Sequence, residues 1–536
     1  MIKSGIMTTA TEALPDDVAA LQALLREARA ERDAERAEKA QLAAECDRLA
    51  GQNDRLRHLI RQLQRMQFGK RSEKLDPDQL NLGLEDLEQA LAAAEADQEK
   101  ADPALRRTRT EKRRAGRGSL PDHLPRIEVV IEPDDTACPC CGGAMHVIGE
   151  DRSQRLDVIP AQYRVLVTRR PKYACRTCQE AIIQAPAPAR LIEGGLPTEC
   201  MVAHVLVAKY ADHTPLYRQA QILARQGIEI DRATLAFWVG YAAAEVKPLW
   251  RLMREALLGS TKLFVDETTV PVLDPGRGRT KTGYLWVIAR DDRPWQGGAP
   301  PAVVYNYAPG RGAEHAMALL KGFTGVLQTD GYTVYRKLAD PKRNTHPVSL
   351  AYCWAHCRRQ FVDLAKTAPA PIATEALKRI AALYEIEAAI RGQDTEARQA
   401  VRQQKTKPLV EALKSWLEKT LAQVPGGSNI AKAIRYPLRH WEGLVLFLDD
   451  GRVEIDSNTV ERAMRPIALT RKNALFAGSD EGAENWAMLA SLIETCKLHG
   501  VNPEAYFTDV LTKLVNNWPN SRLAELLPWA WTAEAH

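Results

Sequence analysis

Residues 262–270 read Lys-Leu-Phe-Val-Asp-Glu-Thr-Thr-Val, and this stretch predicts a strand that carries a carboxylate. The run is apolar and rich in β-branched residues, which favours a strand. Its carboxylate is Asp266, and Glu267 follows directly. Because successive side chains of a strand point to opposite faces, we expect Asp266, and not Glu267, to serve a site at this strand.

Further elements and two more acids follow in an ordered series. The pattern predicts a strand, a second strand, a helix and a third strand at residues 281–290, 301–308, 312–323 and 325–330. The last of these strands ends in Asp330, and a predicted helix at 457–465 carries Glu461. Mg²⁺ prefers oxygen ligands, and two such ions about 4 Å apart can activate an attacking oxygen and stabilise a leaving one. The alternative is that each acid is an ordinary surface group.

Composition sets the broad class of protein. A chain of 536 residues suggests about three or four domains, and 45% hydrophobic residues can form a sizeable core. No apolar run approaches the roughly 18 residues of a membrane span, and the N-terminus lacks the apolar region of a signal peptide. The sequence therefore predicts a cytoplasmic protein that does not contact a membrane. The net charge of +5 is mild, so the distribution of charge is more informative than its sum.

Two Cys-x2-Cys pairs, Cys138/Cys141 and Cys175/Cys178, are the most specific local pattern. Four thiolates around tetrahedral Zn²⁺ make a closed structural site, so we expect a zinc ribbon at 121–185. Strand-like sequence at 163–167 lies between the pairs, and Cys140 is surplus. The ribbon would orient the basic residues Arg169, Arg170 and Lys172. The alternative is that these are unrelated free cysteines.

A heptad pattern predicts a coiled coil at 14–68. One row contains Leu14, Leu21, Ala28, Glu35, Leu42, Leu49, Leu56 and Leu63, and the other contains Val18, Leu25, Arg32, Lys39, Cys46, Asn53 and Ile60. The pattern is weak in the middle and good at both ends. Asn53 at a core position favours a parallel dimer in fixed register, so a homodimer is expected. The alternative is a single charged helix that docks on its own protein.

A helical and basic linker is expected at 69–120. Its cations can neutralise phosphates without reading base sequence, and the residues assigned to DNA contact are Arg106, Arg107, Arg113 and Arg114. Such a charged run cannot form a core. The alternative is that its side chains are merely solvated and do not contact DNA.

The segment 186–255 predicts a helix-turn-helix. A helix at 215–226 ends before Gly227, and Asp231 is placed to cap a second helix that begins at Arg232. The second helix could enter a major groove with Arg232 near its start. Two helices joined by glycine also occur in bundles that bind nothing, so this interpretation stays open.

The motifs CPCCGG with CRTC, KYADHTPLYRQAQILARQGIEI, FVDETTV, LQTDGY, CWAHCRR and NTVERAMRPIALTRKNALFAGSD occur in one order. Together they resemble the large transposase protein of the insertion-sequence-66 family of bacterial mobile elements, over nearly the whole chain. The resemblance implies a ribonuclease H-like core with a DDE triad at Asp266, Asp330 and Glu461, which would ligate two Mg²⁺ ions. It also implies that the protein cuts the ends of its element and joins them to target DNA.

The spacing of the three acids predicts an inserted domain. Asp330 follows Asp266 by 64 residues, whereas Glu461 follows Asp330 by 131 residues. The fold class expected is α+β and multidomain, with an α/β core interrupted by an all-α insertion. The expected boundaries are 256–362 for the first part of the core, 363–452 for the insertion, 453–500 for the final helical part and 501–536 for a C-terminal tail.

Several side chains near these motifs have candidate roles. A fifth strand is expected at 349–353 and a helix after it, and Cys353 and Cys357 are expected to be core thiols. His356 follows the fifth strand and could hold a phosphate. Asp456 is expected to cap the helix of Glu461. Cations assigned to DNA contact in this region are Arg358, Arg359, Arg462, Arg465, Arg471 and Lys472.

The expected function is therefore transposition of double-stranded DNA by a zinc-containing enzyme that uses Mg²⁺. Paired ends must be held together, so an oligomer larger than the dimer is possible, and family elements usually encode small helper proteins. Two other classes remain. A DNA-binding accessory protein would bind ends without cutting, and a non-mobile nuclease would cleave without joining.

Overall fold

The computed structural model describes residues 17–43 except 20, 21 and 24, and then 102–115, 162–174, 182–274, 279–340, 348–367 and 369–532, with five single positions between these ranges. The chain divides into two compact units, 1–167 and 168–536. The four cysteines predicted to bind zinc, and residues 44–68 of the predicted coiled coil, lie outside the described residues.

Among its described residues, the first unit has two helical segments that are mostly exposed. Residues 25–43 are helical and exposed, as the heptad pattern predicts for this part of the chain. Helix α1 (Pro103–Ala115) is formed by the basic stretch. The linker expected there is thus helical, because arginine, lysine, alanine and glutamate are all good helix formers.

The second unit begins with a short hairpin. Strand β1 (Lys172–Ala174) pairs antiparallel with β2 (Ile182–Gln184), and Tyr173 lies opposite Ile183. The strand expected at 163–167 is not formed, and within the described part of the chain no strand pairs with this stretch. A strand needs a neighbouring strand to satisfy its backbone groups, and an apolar sequence does not by itself supply one.

Three helices precede the main sheet: α2 (Glu199–Tyr210), α3 (Leu216–Ala224) and α4 (Arg232–Leu258). Gly227, at φ +77°, makes the turn that follows α3. The carboxylate of Asp231 accepts a hydrogen bond from the backbone N–H of Thr234 at 2.6 Å, which confirms the predicted cap. Helix α4 has 27 residues and extends beyond the expected segment.

A five-stranded mixed sheet forms the centre of the unit. Its strands are β3 (Lys262–Asp274), β4 (Arg279–Arg290), β5 (Ala302–Ala308), β6 (Val326–Thr329) and β7 (Ser349–Tyr352). The order across the sheet is β5-β4-β3-β6-β7. Strands β3, β4 and β5 are antiparallel neighbours, whereas β6 runs parallel to both β3 and β7. All five strands predicted from the pattern are confirmed, with small shifts at their ends.

Helices connect the strands and fill the long interval before Glu461. Between β5 and β7 lie α5 (Ala313–Leu319) and α6 (Arg336–Ala339). After β7 the chain forms α7 (Trp354–Thr367), α8 (Pro371–Ile390), α9 (Thr395–Val401), α10 (Lys407–Gln423), α11 (Asn429–Arg439) and α12 (Trp441–Val445). The described part of the expected insertion is therefore helical. Its apolar core includes Ile380, Leu413 and Ile434 and is continuous with Ala351 of β7 and Trp354 of α7.

The chain returns to the sheet through its last helices: α13 (Asn458–Ala474), α14 (Asp480–Leu498) and α15 (Pro503–Val515). Helix α14 covers the edge strand β5. The hydroxyl of Ser491 accepts a hydrogen bond from the N–H of Tyr305 at 2.8 Å, and that of Thr495 accepts one from Val303 at 3.2 Å. These bonds satisfy backbone groups that an edge strand otherwise leaves unpaired.

The C-terminal part is folded and is more than a tail. The buried Tyr506 of α15 donates a hydrogen bond to the carbonyl of Leu526 at 2.7 Å, and Glu504 lies 3.2 Å from His204 of α2. Among the residues that the structure describes, no helix combines the length and the apolar character that crossing a membrane requires.

Candidate active site

Asp266 and Asp330 occupy equivalent positions on neighbouring parallel strands. In the β3–β6 register, Lys262 is opposite Val326 and Phe264 is opposite Gln328. Continued by two residues, the same register sets Asp330 opposite Asp266. Adjacent strands lie about 5 Å apart, so the 64-residue spacing read from the sequence brings two carboxylates side by side at one end of the sheet.

Asp266 lies in an environment that opposes its negative charge. Its side chain is buried, and Oδ1 accepts one hydrogen bond, from the N–H of Glu267 at 2.8 Å. Burial, and then the nearby charges of Asp330, Glu267 and Glu461, raise the pKa of Asp266 to about 8. Asp330 and Glu461 therefore share the electrostatic environment of Asp266. Buried carboxylates close to one another are stable only with a proton or a cation.

The side chain of Gln328 anchors the segment that carries Glu461 to the sheet. This fully buried amide donates to the carbonyl of Glu454 at 2.9 Å, and its oxygen accepts from the N–H of the same residue at 3.0 Å. The N–H of Trp354 donates to the carbonyl of Ile455 at 3.0 Å. Helix α13 therefore starts at the ends of β6 and β7, with Glu461 in its first turn.

Asp456 has a role somewhat different from the expected cap. Ser457 occupies the N-cap position of α13 without a capping side-chain bond. Asp456, one residue earlier, accepts hydrogen bonds from the backbone and side-chain nitrogens of Asn458 at 3.1 and 2.7 Å. Its carboxylate thus organises the turn before the helix, and both of its oxygens are engaged there.

Glu461 contacts two basic residues of helix α7. Its Oε1 lies 3.6 Å from Nδ1 of His356, and its Oε2 lies 3.8 Å from Arg359. Oε1 is buried and has no hydrogen bond from any described residue. Arg359 therefore holds the carboxylate by charge, and the ring of His356 lies beside Oε1, which keeps its capacity to accept a ligand.

The thiol of Cys353 lies beside His356 and Glu461. Cys353, His356 and Glu461 offer a sulfur, a nitrogen and an oxygen atom within 4.8 Å of one another. The Cys353 thiol is buried and accepts from the N–H of Ser457 at 3.3 Å, and burial raises its pKa to about 11. Cys353 and Cys357 are core thiols, as expected. Cys353 also lies at the site, and its sequence position alone does not indicate this.

A tight turn follows Asp330. Oδ1 of Asp330 accepts from the N–H of Tyr332 at 2.8 Å, and its carbonyl accepts from the hydroxyl of Tyr436 at 2.7 Å. Gly331 has φ +91°, and a Cβ there would lie 3.2 Å from the ring of His440. Helix α11 of the insertion therefore supports the turn, and glycine is required at 331 for both conformation and space.

Glu267 belongs to a separate ionic cluster, in agreement with the expectation that it does not serve the site of Asp266. Its carboxylate accepts from Arg311 at 2.6 Å and from the hydroxyl of Tyr335 at 2.5 Å. Burial raises the pKa of Glu267, although these two partners lower it in part. Arg311 also lies over the ring of Tyr332 at 3.9 Å. Arg311, Tyr335 and Gln328 were not among the residues expected here. Arg311 and Tyr335 lie outside the motifs, and Gln328, although within LQTDGY, carries no titratable group that would indicate a role.

The cations expected to contact DNA are distributed over both units. Arg358 and Arg359 are on α7, and the cations of α13 are Arg462, Arg465, Arg471 and Lys472. Arg358, Arg462 and Lys472 are exposed, and the other three are partly buried. Arg471 donates to the carbonyl of Thr269 at 2.5 Å, so it fastens α13 to β3. Its role is therefore at least partly structural.

The remaining expected cations lie outside this region. Arg232 is exposed at the start of α4, and Arg169 and Arg170 are exposed before β1. Arg170 donates to the carbonyl of Ala185 at 2.8 Å. In the first unit, Arg106, Arg107 and Arg113 are exposed on α1, whereas the side chain of Arg114 lies outside the described residues.

Comparison with protein-family models gives four matches along the chain. Residues 194–485 match the model described as "Transposase IS66 family". Residues 135–179 match "zinc-finger binding domain of transposase IS66", a range that includes all four cysteines of the two pairs. Residues 55–129 match "Transposase C of IS166 homeodomain", and residues 491–529 match "IS66 C-terminal element".

Similar full-length proteins occur in Sinorhizobium fredii. The uncharacterized protein y4jD is 47% identical over 485 residues, which cover 89% of this chain and 95% of that protein. The uncharacterized protein y4qI is 43% identical over 538 residues, or 97% of this chain and 98% of that protein. The similarity therefore extends over both units.

Proposed function

The chain belongs to the IS66 family of transposases, and from this premise we propose that it is a DDE enzyme. It binds the ends of its insertion element, cuts them and joins them to target DNA, with Asp266, Asp330 and Glu461 as the catalytic acids. The observation that carries this proposal is the register of β3 and β6, in which Phe264 lies opposite Gln328. Continued by two residues, this register would set Asp266 opposite Asp330.

The strand order supports a ribonuclease H-like core for this enzyme. Three antiparallel strands are followed, on the other side of β3, by two parallel ones. The first acid is in the central strand, the second follows its parallel neighbour, and the third is on a helix that returns after the insertion. We propose the same domain boundaries as the sequence pattern predicts, with the insertion at 363–452 supporting the turn after Asp330.

The donor set fits two magnesium ions. All three acids offer carboxylate oxygens, which Mg²⁺ prefers over nitrogen or sulfur. Glu461 has a buried oxygen without a hydrogen bond from the described residues, and Asp266 carries a charge that its surroundings disfavour. A cation held by these groups would bind the free oxygen of Glu461 and would neutralise the charge of Asp266. Bound there, two Mg²⁺ ions would activate the attacking oxygen and stabilise the leaving one.

The reaction proposed has two phosphodiester steps. Water hydrolyses one strand at the element end, and the freed 3′-hydroxyl then attacks a target phosphodiester, so that one P–O bond forms as another breaks. Asp266 and Asp330 define the position of the reacting phosphate from the sheet side. His356 and Arg359 orient Glu461, and the positive charge of Arg359 also favours the approach of DNA.

Other parts of the chain supply binding and assembly in this proposal. Cys138, Cys141, Cys175 and Cys178 hold a structural zinc ion in the zinc-finger domain. Helices α3 and α4 and the basic helix α1 contact double-stranded DNA, in the manner of phosphate-neutralising segments. The N-terminal heptads form a homodimer, and small helper proteins of the element could join the complex. Since the substrate is chromosomal DNA, we place the reaction in the bacterial cytoplasm.

Cleavage and joining of DNA that carries an element end test the proposal. Asp266→Asn, Asp330→Asn and Glu461→Gln should each reduce both reactions by a factor of roughly 10³ or more, because each removes a charged ligand of the ions. Binding of the same DNA, measured by gel shift, should persist. The matched controls are Asp274→Asn, at the far end of β3, and Glu418→Gln, an exposed acid of α10, and both should react normally.

Three outcomes would contradict the assignment. Normal joining by any one of the three variants would remove that residue from the site. End binding without Mg²⁺-dependent cutting by the wild-type protein would indicate an accessory DNA-binding protein. Cleavage without joining, and without preference for element ends, would indicate a nuclease.

A further inference from the structure

The turn after α13 holds an apolar residue in a conformation that such residues rarely adopt. Leu475 has φ +66° and ψ −48°. The N–H of Phe476 donates to the carbonyl of Ala474 at 2.8 Å, which closes a three-residue γ-turn around Leu475. This form of γ-turn is strained for a residue with a side chain. Strain of this kind is retained where the surrounding structure enforces it, and such places are often functional.

Backbone contacts on both sides of Leu475 hold this turn in its conformation. Helix α13 ends immediately before it, where the N–H of Leu475 donates to the carbonyl of Arg471 at 2.9 Å. Directly after it, Ala477 pairs with β3 in parallel fashion, opposite Val272. Leu475 and Phe476, hereafter the apolar tip, are thus fixed between a helix end and a strand.

The apolar tip is exposed despite this rigid support. Leu475 is 66% exposed and Phe476 is 42% exposed, and the neighbouring Leu273 of β3 is 40% exposed. A fixed, strained and exposed pair of large apolar side chains does not stabilise the described fold. It has the form of a wedge that a partner accepts.

Charge indicates which partner. Helix α13 carries the cations Arg462, Arg465, Arg471 and Lys472, and Glu461 is its single acid. The helix therefore provides a basic path from the proposed catalytic acid to the apolar tip. Beyond the tip are Asp274 and Asp480, which are paired with Arg277 at 3.5 Å and with Lys281 at 2.6 Å. Glu481 and Glu484, further along α14, are exposed acids. A polyanion along α13 is the occupant that this distribution favours.

We propose that the apolar tip inserts at a base step of the bound DNA duplex and unstacks it. The 13 positions from Glu461 to Ala474 span about 20 Å of helix, which corresponds to about six base pairs of duplex. Apolar side chains beside basic residues deform DNA in this way, by replacing base stacking with contacts to the wedge. This inference rests on the proposed function for the presence of DNA, and it adds a distortion at a defined distance from the cut.

Fluorescence of 2-aminopurine tests the insertion, because the base brightens when it is unstacked. The full-length protein, in buffer without added magnesium, is mixed with duplexes that cover the terminal repeat and flanking DNA of its own gene. One 2-aminopurine is placed in turn at each position within a helical turn of the cleavage site. Wild-type protein should brighten one step about six base pairs from the cut.

Leu475→Gly is the decisive variant. Glycine adopts positive φ without strain, so this protein should melt at the same temperature as the wild type or higher. Its brightening at the step should nevertheless fall several-fold, and Phe476→Ala should show a smaller loss. A mismatch at that step should tighten wild-type binding about tenfold, because unstacking then costs less, and should not tighten binding by Leu475→Gly. Leu409→Gln, at an exposed leucine of α10, is the matched control.

The outcomes separate this inference from the proposed function. If wild-type protein cuts element ends but brightens no step, or if Leu475→Gly brightens the step as the wild type does, the wedge is refuted while the transposase proposal stands. If Leu475→Gly changes the oligomeric state in light scattering and not the fluorescence, the apolar tip binds a second copy of the chain, and the DNA wedge is again refuted. If wild-type protein does not bind these duplexes, both proposals fail.

Discussion

At the scale of single residues, Asp266 and Glu461 of the proposed site lie in different electrostatic surroundings. Asp266 is buried beside other acids, whereas Glu461 has His356 and Arg359 as partners. The surroundings of Asp266 therefore disfavour its negative charge, whereas the charge of Glu461 lies beside Arg359. This asymmetry makes Asp266 the residue whose properties depend most on pH and on metal ions.

Substitution of Asp266 should change the pH dependence of stability. Its pKa is raised from 3.8 to about 8 in the folded protein, so the folded state binds the proton more tightly than the unfolded state. Stability is therefore lost as the pH rises from about 4 through about 8. In magnesium-free buffer, Asp266→Asn should melt higher than the wild type by about 5 °C near pH 8.5, with a much smaller difference near pH 5.

Differential scanning fluorimetry with a magnesium titration measures this effect. Added Mg²⁺ should raise the melting temperature of the wild type at high pH and leave that of Asp266→Asn nearly unchanged. The control Asp274→Asn retains Asp266, so the difference between its melting temperature and that of the wild type should not vary with pH in this way. A melting difference between Asp266→Asn and wild type that is the same at every pH would refute the argument.

His356 and Arg359 should affect the chemical step more than DNA binding. His356→Ala and Arg359→Ala remove the groups that orient Glu461, and loss of such supporting contacts lowers activity by about 10- to 100-fold. Arg359→Lys keeps the charge without the planar fork and should be intermediate. Single-turnover cleavage at saturating DNA, as a function of Mg²⁺ concentration, measures the effect, and the half-saturating concentration should rise.

Arg358→Ala is the neighbouring control for this prediction. Arg358 is exposed on the same helix and has no contact with Glu461 among the described residues. Its loss should weaken DNA binding and leave the saturated rate unchanged. Equal effects of the Arg358 and Arg359 variants on the saturated rate would contradict a positioning role.

At the scale of elements, the third acid reaches the sheet because of contacts that precede its helix. Gln328 bonds both backbone groups of Glu454, and Cys353 accepts from Ser457. At its other end, α13 is fastened by Arg471 and by the pairing of Ala477 with β3. The helix is thus tied to the sheet at both ends, which holds Glu461 near enough for its charge to act on Asp266.

Gln328→Leu should therefore impair both stability and chemistry. It leaves a buried N–H and a buried carbonyl of Glu454 without partners, and each such group costs about 1–3 kcal/mol. Urea unfolding should show this loss, and cleavage should fall in the protein that remains folded. Gln399→Leu removes an exposed amide that donates to Asp449 at 2.8 Å, and we expect a change below about 0.5 kcal/mol. Equal effects in the two variants would argue against the anchoring role.

At the scale of the whole molecule, the chain combines a folded unit that carries the proposed site with an N-terminal unit whose described residues are largely charged helix. In the first unit, residues 25–43 and α1 are helical with mostly exposed side chains. Helices that bury little apolar surface are stabilised by a partner. From the heptad rows we propose a second copy of the same chain as that partner.

Charges in the heptad rows should dissociate the dimer. Leu49→Lys combined with Leu56→Lys places cations at two positions of the predicted seam, where they would be buried beside their own copies. Light scattering should report a dimer or larger oligomer for the wild type and a monomer for this variant. Gln52→Lys with His58→Lys adds charge outside the two rows and should leave the oligomer intact. A wild-type monomer would refute the coiled coil.

The sequence by itself determined the family, the order of strands and helices, and the acids at their ends, because these depend on local pattern and on motifs. It erred where a partner strand decides the outcome: residues 163–167 have strand-like composition, but no strand pairs with them within the described part of the chain. The basic stretch, expected as part of a helical linker, does form helix α1.

Only the tertiary structure decided which side chains meet. The partnership of Glu461 with His356 and Arg359, the bonds of Gln328 and the strained turn at Leu475 all join segments far apart in the chain. The physical reason is that periodicity reports which face of an element is buried, whereas contacts between elements depend on packing across long loops. No local pattern encodes that packing.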